Sequence, residues 1–284
     1  MSLSGTSGHK TAAIIVTYHT GRPLKDCLHA LAAMTGIEQI IIVDNGNPPD
    51  MEGWLVRFAE KTPTAKLIKQ ARNTGFGSGV NMGARAAEVD SLLVINPDCV
   101  MRPDALEALY RATLGKRSPV MIGGRIYDIN GEAQRGPRRS ELTKRRLLSK
   151  LFGGRGINLP LQPQPSGPVA VDVTSGAFFL IDKAGFDQLG GFDTDYFLHV
   201  EDIDLCKRVH LAGGEVIYQP LAGALHYGAT SDVSMRFVER HKAAGFARYL
   251  RKFSNGVLGR IGAELIIPLV FAALMLRAWL ADRQ

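Results

Sequence analysis

The sequence predicts an α/β protein with a mainly parallel central sheet. Four short apolar runs occupy its first half, at residues 12–18, 39–45, 65–70 and 91–97. Segments of helical length separate these runs, and their helical patterns begin near Pro23, Asp50 and Ser78. Strands that are apolar along their whole length and alternate with helices are typical of a parallel sheet covered on both faces.

Each of the four runs ends in polar residues. These are Thr17 and Tyr18, Asp44 and Asn45, Arg72 and Asn73, and Asn96 and Asp98. Ligands of open α/β sheets bind outside the carboxyl ends of the strands, at the point where the strand order reverses. The sequence therefore predicts a binding site along this edge.

The fourth run leads into a single carboxylate. The stretch SLLVINPDCVMRPD passes from a buried strand through Pro97 to Asp98, and a second proline, Pro103, precedes a predicted helix. Because proline fixes the exit of the chain, Asp98 is delivered to the edge of the sheet. An acid in a turn is the alternative interpretation.

A glycine-rich stretch follows the third run. The sequence RNTGFGSGVNMG contains Gly75, Gly77, Gly79 and Gly83. Such glycines allow the backbone to approach a phosphate or a sugar at a helix N-terminus. A dinucleotide fingerprint, and with it an oxidoreductase, is less favoured because that motif follows the first strand.

The second half has a different character. Residues 131–168 are rich in Gly, Pro, Arg and Gln and predict a long mobile loop with one basic helix, ELTKRRLLSKLF. A strand at 169–182 and a helix from Glu201 to about Leu211 follow. Glu201, Asp202 and Asp204 either complement the helix dipole or, among aromatic residues, provide a general base.

The positive charge is concentrated in two segments. The net charge is +7, with eight basic residues against one acid at 135–155 and seven against one at 236–260. These segments are either solvated faces or attractors of anionic lipid or of a phosphorylated acceptor. The first segment contains a single aromatic residue, Phe152, too few for stacking on successive bases, which disfavours nucleic acid as a partner.

The two ends of the chain and its cysteines set further expectations. Residues 1–10 lack an apolar core and predict a flexible leader. The twelve apolar residues at 265–276 are too short to span a bilayer of about 30 Å. With Trp279 they predict a helix lying in the membrane interface, or else a helix packed on the domain or in a homodimer. Three unpaired cysteines indicate a reducing compartment.

Six motifs in order carry a family resemblance. They are VTY, IIIVDNGNPPD, RNTGFGSGVNMG, LLVINPDCVMRPD, VTSGAFFLIDKAGFDQLGGFDTDYFLHVEDIDLCKR and HYGATS. Over about residues 11–249 the chain resembles family 2 glycosyltransferases, most of all the bacterial rhamnosyltransferases of cell-surface polysaccharide synthesis. The resemblance implies the GT-A fold, a nucleotide-sugar donor and inversion at the anomeric carbon.

The resemblance also implies roles for individual residues. Asp202, within Glu201–Asp202, matches the catalytic base, and Asp98 and His226 match ligands of a divalent cation, Mg2+ or Mn2+. Asn96 departs from the family, in which many members have Asp, and a neutral ligand lowers affinity for a hard cation. The implied donor-binding residues are Thr17, Tyr18, Asp44, Asn45, Asn73, Gly77, Gly79, Asn81, Asn96, Asp98, Ser175 and Gly176.

The resulting domain division is a leader at 1–10, a catalytic domain at 11–235 and C-terminal helices at 236–284. The catalytic domain comprises a nucleotide-sugar half (11–130), the mobile basic loop (131–168) and an acceptor and catalytic half (169–235). The implied substrates are a UDP- or dTDP-linked sugar and a saccharide or polyprenyl-diphosphate-linked acceptor. We expect a cytoplasmic protein at the inner face of the bacterial membrane; a non-catalytic nucleotide-sugar binder is the alternative.

Overall fold

The first half of the chain forms a parallel α/β layer. In a computed structural model that describes residues 10–151, 153–154, 156–228 and 234–281, four strands pair in the order β3-β2-β1-β4, all parallel. The prediction of alternating strands and helices is confirmed. The elements are β1 (Thr11–Thr17), α1 (Arg22–Ala32), β2 (Ile37–Asp44), α2 (Pro49–Lys61), β3 (Ala65–Lys69), α3 (Phe76–Ala86) and β4 (Ser91–Ile95).

The second half extends the sheet in the order β4-β8-β6-β9-β5, with β7 paired to β9. Strand β8 runs antiparallel to both β4 and β6, so the complete sheet is mixed. The elements are β5 (Cys99–Met101), α4 (Ala105–Thr113), β6 (Val120–Tyr127), α5 (Lys144–Leu151), β7 (Val169–Ala170), β8 (Phe178–Asp182), α6 (Lys183–Gln188), α7 (Glu201–Leu211), β9 (Glu215–His226), α8 (Met235–Phe253) and α9 (Gly256–Ala281).

The sheet separates two hydrophobic cores. Along β1, Ile14 and Val16 belong to one core, while Ala13 and Ile15 belong to the other. Both faces of this strand are therefore buried, as its continuous apolar sequence predicts. The three cysteines are buried and unpaired.

The single strand predicted at 169–182 is wrong, because the structure has two strands with an irregular segment between them. Within that segment Val173 exchanges both backbone hydrogen bonds with Arg139 of the preceding loop. The chain then turns at Ser175 and Gly176 toward the start of α7, where the Gly176 N–H donates to Asp202. Residues 171–177 thus leave the sheet to approach Asp202.

The glycines of α3 allow close packing against neighbouring elements, and the donor-binding role of Gly77 and Gly79 stays a prediction. A Cβ at Gly79 would lie 2.7 Å from Val16 Cγ1, and one at Gly77 would lie 2.9 Å from Phe192 Cβ. Both positions are buried. Their lack of a side chain is explained by contact with protein, with no phosphate needed.

The C-terminal helix is longer than the apolar run at 265–276 from which it was predicted. Helix α9 has 26 residues, about 39 Å at about 1.5 Å per residue, so the prediction that it is too short to span a bilayer is wrong. By length and composition it is the one described helix able to cross a membrane, a test that core helices also pass. Ala263 and Val270 pack on the domain, while Leu258 and Leu265 are exposed.

Candidate functional site

Polar side chains at the ends of β1, β2 and β3 meet at one edge, as predicted. The register of β1 and β2 sets Thr17 beside Asp44, and the Asn45 N–H donates to the Thr17 carbonyl at 2.9 Å. The Asn45 side-chain amide donates to Asn73 Oδ1 at 3.1 Å. These four residues form a continuous polar surface.

Two further residues adjoin this surface. Tyr18 follows β1, and a Cβ placed on Gly46 would lie 3.7 Å from its ring. The side chain of Asn47, which sequence reasoning missed, donates to Asp44 Oδ1 at 2.8 Å and to Thr17 Oγ1 at 3.3 Å. Asn47 stands in the turn after β2, where the NGN sequence gave only a turn signal.

Asn81 occupies a structural position, and its role in closing the nucleoside pocket stays a prediction. Its Nδ2 donates to the Phe192 carbonyl at 2.7 Å, and its Oδ1 accepts from the Phe192 N–H at 2.8 Å. Both ends of the amide are engaged in a buried site. Asn81 therefore ties α3 to the segment that precedes α7.

Asp98 and His226 lie together at the opposite end of this edge. The antiparallel pairing of β5 with β9 sets Cys99 opposite His226, and the His226 Nε2 lies 3.4 Å from Asp98 Oδ1. The other carboxylate oxygen of Asp98 accepts from the Gly228 N–H at 3.1 Å. The carboxylate is buried, and the imidazole is partly buried.

Gln134 determines which nitrogen of His226 carries a hydrogen. Its Nε2 donates to the His226 carbonyl at 2.9 Å, which directs its Oε1 to His226 Nδ1 at 2.6 Å. Because Oε1 only accepts, Nδ1 donates, and the neutral ring directs the lone pair of Nε2 toward Asp98. A lone pair beside a carboxylate fits a divalent cation held between them.

Cys99 is the third side chain close to this pair. Its ligand atom and those of Asp98 and His226 lie within 4.8 Å of one another. Burial, with the nearby charge of Asp98, raises the pKa of the Cys99 thiol well above its ordinary value. A protonated thiol is a poor ligand for a hard cation, so Asp98 and His226 are the residues that fit this role.

Asn96, Ser175 and Gly176 connect the two ends of the site. The Asn96 N–H donates to the Ala177 carbonyl at 2.8 Å, which joins the end of β4 to the start of β8. Ser175 Oγ accepts from the Ala177 N–H at 3.2 Å. Gly176 follows at once and contacts Asp202, so these residues lie between the polar edge and the predicted base.

Asp202 is held in a largely buried ion pair. Its Oδ2 lies 2.5 Å from a guanidinium nitrogen of Arg139 and accepts from the Gly176 N–H at 3.1 Å. Burial alone would raise the pKa of Asp202, but Arg139 and the Gly176 N–H outweigh it and hold the pKa below its ordinary value. Arg139 lies in the basic loop, and its charge is the only sequence signal of this contact.

Glu201 has the opposite character. It is buried, and its Oε2 has no hydrogen-bond partner among the described residues. Burial, with the negative charge of Asp202, raises the pKa of Glu201 to about 8. Glu201 is therefore protonated near neutral pH, and Asp202 is the ionised member of the pair.

The remaining acids of this region are engaged in ion pairs. Asp193 accepts from Arg248 at 2.9 Å and from Lys252 at 2.6 Å, and Asp204 accepts from Arg208 at 2.6 Å. The dense group of acids in the sequence therefore divides into ion-paired structural residues and the Glu201–Asp202 pair. The Glu201–Asp202 pair borders a cavity.

The backbone is strained just before α7. His199 and Val200 have φ values of 67° and 74°, in the left-handed region that β-branched residues rarely adopt. Such strain is concentrated at functional sites, where surrounding structure enforces it. Here it brings Glu201 and Asp202 to the wall of a cavity of about 290 Å3.

Comparisons with known proteins show the family to which the chain is related. The model of the family described as Glycosyl transferase family 2 matches residues 12–187. An N-acetylglucosaminyl-diphospho-decaprenol L-rhamnosyltransferase of Mycobacterium tuberculosis is 28% identical over 258 residues, 81% of each chain. The rhamnosyltransferase WbbL of Escherichia coli K12 is 30% identical over 164 residues, 54% of this chain and 61% of WbbL.

Solved structures share the fold. A mannosyltransferase from Pyrobaculum calidifontis, in complex with GDP-Man and Mn2+, superposes with a TM-score of 0.61 at 15% identity, over 96% of this chain and 74% of that one. A GalNAc-T7 structure with UDP, GalNAc and Mn2+ gives a TM-score of 0.62 at 14% identity. This chain spans 54% of the length of GalNAc-T7. At these identities the likeness concerns the GT-A fold alone.

The raised pKa of Glu201 predicts a pH-dependent stability. The folded protein keeps the Glu201 proton up to about pH 8, whereas the unfolded chain loses it near pH 4.5, so wild-type stability falls as pH rises between these values. Glu201→Gln removes this ionisation. We expect its free energy of unfolding, relative to wild type, to increase from pH 5 to pH 9 by about 1–3 kcal/mol.

Urea denaturation across this pH range measures the difference. Glu60→Gln, at an exposed position of α2, is the matched control and is expected to follow wild type at every pH. A Glu201→Gln difference that does not change with pH would contradict a protonated Glu201.

Proposed function

We propose a specific reaction for this chain, which belongs to glycosyl transferase family 2. It transfers a sugar, with inversion at the anomeric carbon, from a nucleoside-diphosphate donor to a hydroxyl of a saccharide or lipid-linked saccharide. The observation that carries this proposal is the position of an ionised Asp202 beside Gly176, across the site from Asp98 and His226. One segment of the loop, residues 134–139, contacts both ends.

The donor occupies the polar edge in this proposal. Thr17, Asp44, Asn45 and Asn73 hold the nucleoside, with Tyr18 beside them, because their amide and carboxylate groups match the hydrogen-bonding edge of a base and a ribose. Uracil and thymine present the same edge, so UDP- and dTDP-linked donors both fit. The two rhamnosyltransferase relatives support rhamnose as the sugar.

Asp202 is the general base. The acceptor hydroxyl gives its proton to Asp202 while its oxygen attacks the anomeric carbon from the side opposite the leaving diphosphate. Arg139 must first withdraw, because its charge suppresses the proton affinity of Asp202. Burial then raises that affinity. Protonated Glu201 adds no second negative charge beside the reacting hydroxyl.

Asp98 and His226 hold the divalent cation, Mg2+ or Mn2+, and Gln134 orients the imidazole. When bound, the cation supplies positive charge beside the departing nucleoside diphosphate. Asn96 follows the same strand with a neutral side chain. We therefore propose modest cation affinity in the absence of donor.

We propose that the protein binds the inner face of the membrane through helix α9 and the basic residues of α8. The outer face of α9 exposes large apolar side chains, more than isolated surface residues account for. The neighbouring basic segment at 236–260 attracts anionic headgroups. The M. tuberculosis relative acts on a lipid-linked compound, as its name states, and the proposed membrane surface and acceptor agree with this. The transfer to such an acceptor is a step of cell-surface polysaccharide synthesis.

The role of Asp202 predicts a selective loss of transfer. Asp202→Asn keeps the shape of the site and removes the proton acceptor, so we expect turnover to fall about a hundredfold to ten-thousandfold while donor affinity stays within a few-fold. Radiolabelled sugar transfer and calorimetry measure the two quantities. Wild-type turnover in this variant would eliminate Asp202 as the base. Donor binding without any turnover in the wild type would instead favour a non-catalytic donor-binding protein.

The cation site predicts two losses that do not add. Asp98→Ala weakens nucleoside diphosphate binding in Mg2+ or Mn2+, and chelation weakens wild type to a similar affinity, because both remove the same bridge. Asn96→Asp tightens cation binding by adding a charged oxygen ligand. Titration calorimetry with and without metal tests this. If chelation leaves wild-type binding intact, Asp98 is a hydrogen-bonding residue of a metal-independent site.

The exposed face of α9 predicts membrane binding that leucines control. Replacing Leu258, Leu265 and Leu269 by Ser should reduce binding to anionic vesicles by about tenfold or more, because each removes apolar area from the lipid contact. The control replaces Leu114, Leu211 and Leu221, whose exposures of 69%, 67% and 64% match the 85%, 69% and 55% of the first set. Equal vesicle binding with loss of a homodimer would assign this face to a second copy.

A further inference from the structure

A cavity beside Asp202 gathers positive charge from four parts of the chain. The loop contributes Arg139, α5 contributes Arg146 and Lys150, α8 contributes Lys242, and α9 contributes Arg277. The acids on its wall are Glu201, which is protonated, and Asp202, which Arg139 neutralises. The cavity is therefore strongly electropositive.

The side chains of two of these cations have no direct partner in the described part of the chain. Those of Lys150 and Lys242 make no ion pair or hydrogen bond with a described residue, although the charge of Glu239 acts on Lys242. Arg277 lies 3.6 Å from the buried Glu239, and Arg146 donates to the Glu141 backbone carbonyl at 3.1 Å. Positive groups that crowd a cavity without partners repel one another until an anion enters.

Lys242 shows the effect of this crowding. Burial lowers its pKa, and the charges of Arg277, Arg139 and Lys150 lower it further, against the opposing charge of Glu239. The ammonium group is therefore destabilised in the empty cavity. A bound anion with two charges would relieve the repulsion and restore the protonated form.

Most of the remaining wall is apolar. Its apolar residues include Leu142, Leu147, Phe246, Val270 and Leu274. Val270 and Leu274 belong to α9, whose outer face is exposed and apolar. A ligand that carries both an anionic group and a hydrocarbon chain matches the charged and the apolar residues of this wall.

We propose that this cavity, which we call the cationic cavity, binds the diphosphate of a lipid-linked saccharide acceptor through Arg146, Lys150, Lys242 and Arg277. The inference rests on the proposed function and assigns the acceptor subsite within it. The saccharide attached to the diphosphate then lies at Asp202, on the wall of the same cavity. The lipid chain passes Val270 and Leu274 toward the membrane at α9.

Calorimetry with geranyl diphosphate, a soluble isoprenoid diphosphate, tests the cavity directly. EDTA is present throughout, so that the cation site at Asp98 does not contribute. Lys150→Gln with Lys242→Gln should weaken binding about tenfold or more, because it removes two charge-assisted contacts from unpaired residues. The matched control is Lys61→Gln with Lys66→Gln, at exposed positions of α2 and β3, and is expected to bind as wild type does.

Geraniol and geranyl monophosphate separate the contributions of the basic and the apolar residues to the binding affinity. Geranyl monophosphate should bind more weakly than the diphosphate, and geraniol should bind equally to wild type and to the double variant. Competition by a nucleoside diphosphate in EDTA would place the probe in the donor site and overturn the assignment. Unchanged affinity in the double variant would overturn it as well.

Kinetics distinguish failure of this inference from failure of the proposed function. With a polyprenyl-diphosphate-linked saccharide, the double variant should show a KM at least about tenfold higher, while donor affinity and slow donor hydrolysis stay unchanged. An unchanged KM with weaker binding to anionic vesicles would assign the lysines to phospholipid headgroups. If no sugar is transferred at all, but the binding of geranyl diphosphate still depends on the two lysines, the glycosyl transfer proposal fails and the anion site stands.

Discussion

A carboxylate removed from water requires a positive partner, and Asp202 obtains one from Arg139. Much of the local structure follows from this requirement. Arg139 is held by backbone pairing with Val173, which takes residues 171–177 out of the sheet and leads the chain through Gly176 to the same carboxylate. The broken strand, the course of the basic loop and the start of α7 are parts of one arrangement around a single charge.

Two adjacent acids in one helical turn acquire different chemistry from their surroundings. Asp202 has a guanidinium and a backbone N–H, whereas the Oε2 of Glu201 has no partner among the described residues. One carboxyl is therefore ionised and the other protonated at the same pH. Environments that separate the pKa values of neighbouring acids are how proteins assign a base within such a pair. The strained residues His199 and Val200 fix which side chain faces which environment.

Local periodicity predicted the parallel half and the helix at Glu201, but it missed the break in the strand at 169–182. Contacts between residues distant in the chain were not visible to it. The parallel half and the helix at Glu201 follow from apolar runs and their polar ends. Only the family resemblance predicted His226 as a cation ligand, because the pairing of β5 with β9 that brings it to Asp98 joins distant parts of the chain. Gln134 and Arg139 were missed because their partners lie 92 and 63 residues away. Asn81 and Gly79 were predicted to bind the donor from their residue types, and contacts within the protein also account for those residue types. Helix α9 outlasts its apolar run because isolated charges such as Glu264 do not end a helix.

Gln134 and Arg139 are five residue steps apart. Such a segment reaches at most about 17 Å when fully extended. The contact of Gln134 with His226 and the contact of Arg139 with Asp202 are therefore joined by one short piece of backbone. In the proposed mechanism, a movement of residues 134–139 that withdraws Arg139 from Asp202 also displaces Gln134, which orients His226. The proton affinity of Asp202 and the geometry of the cation site then change together.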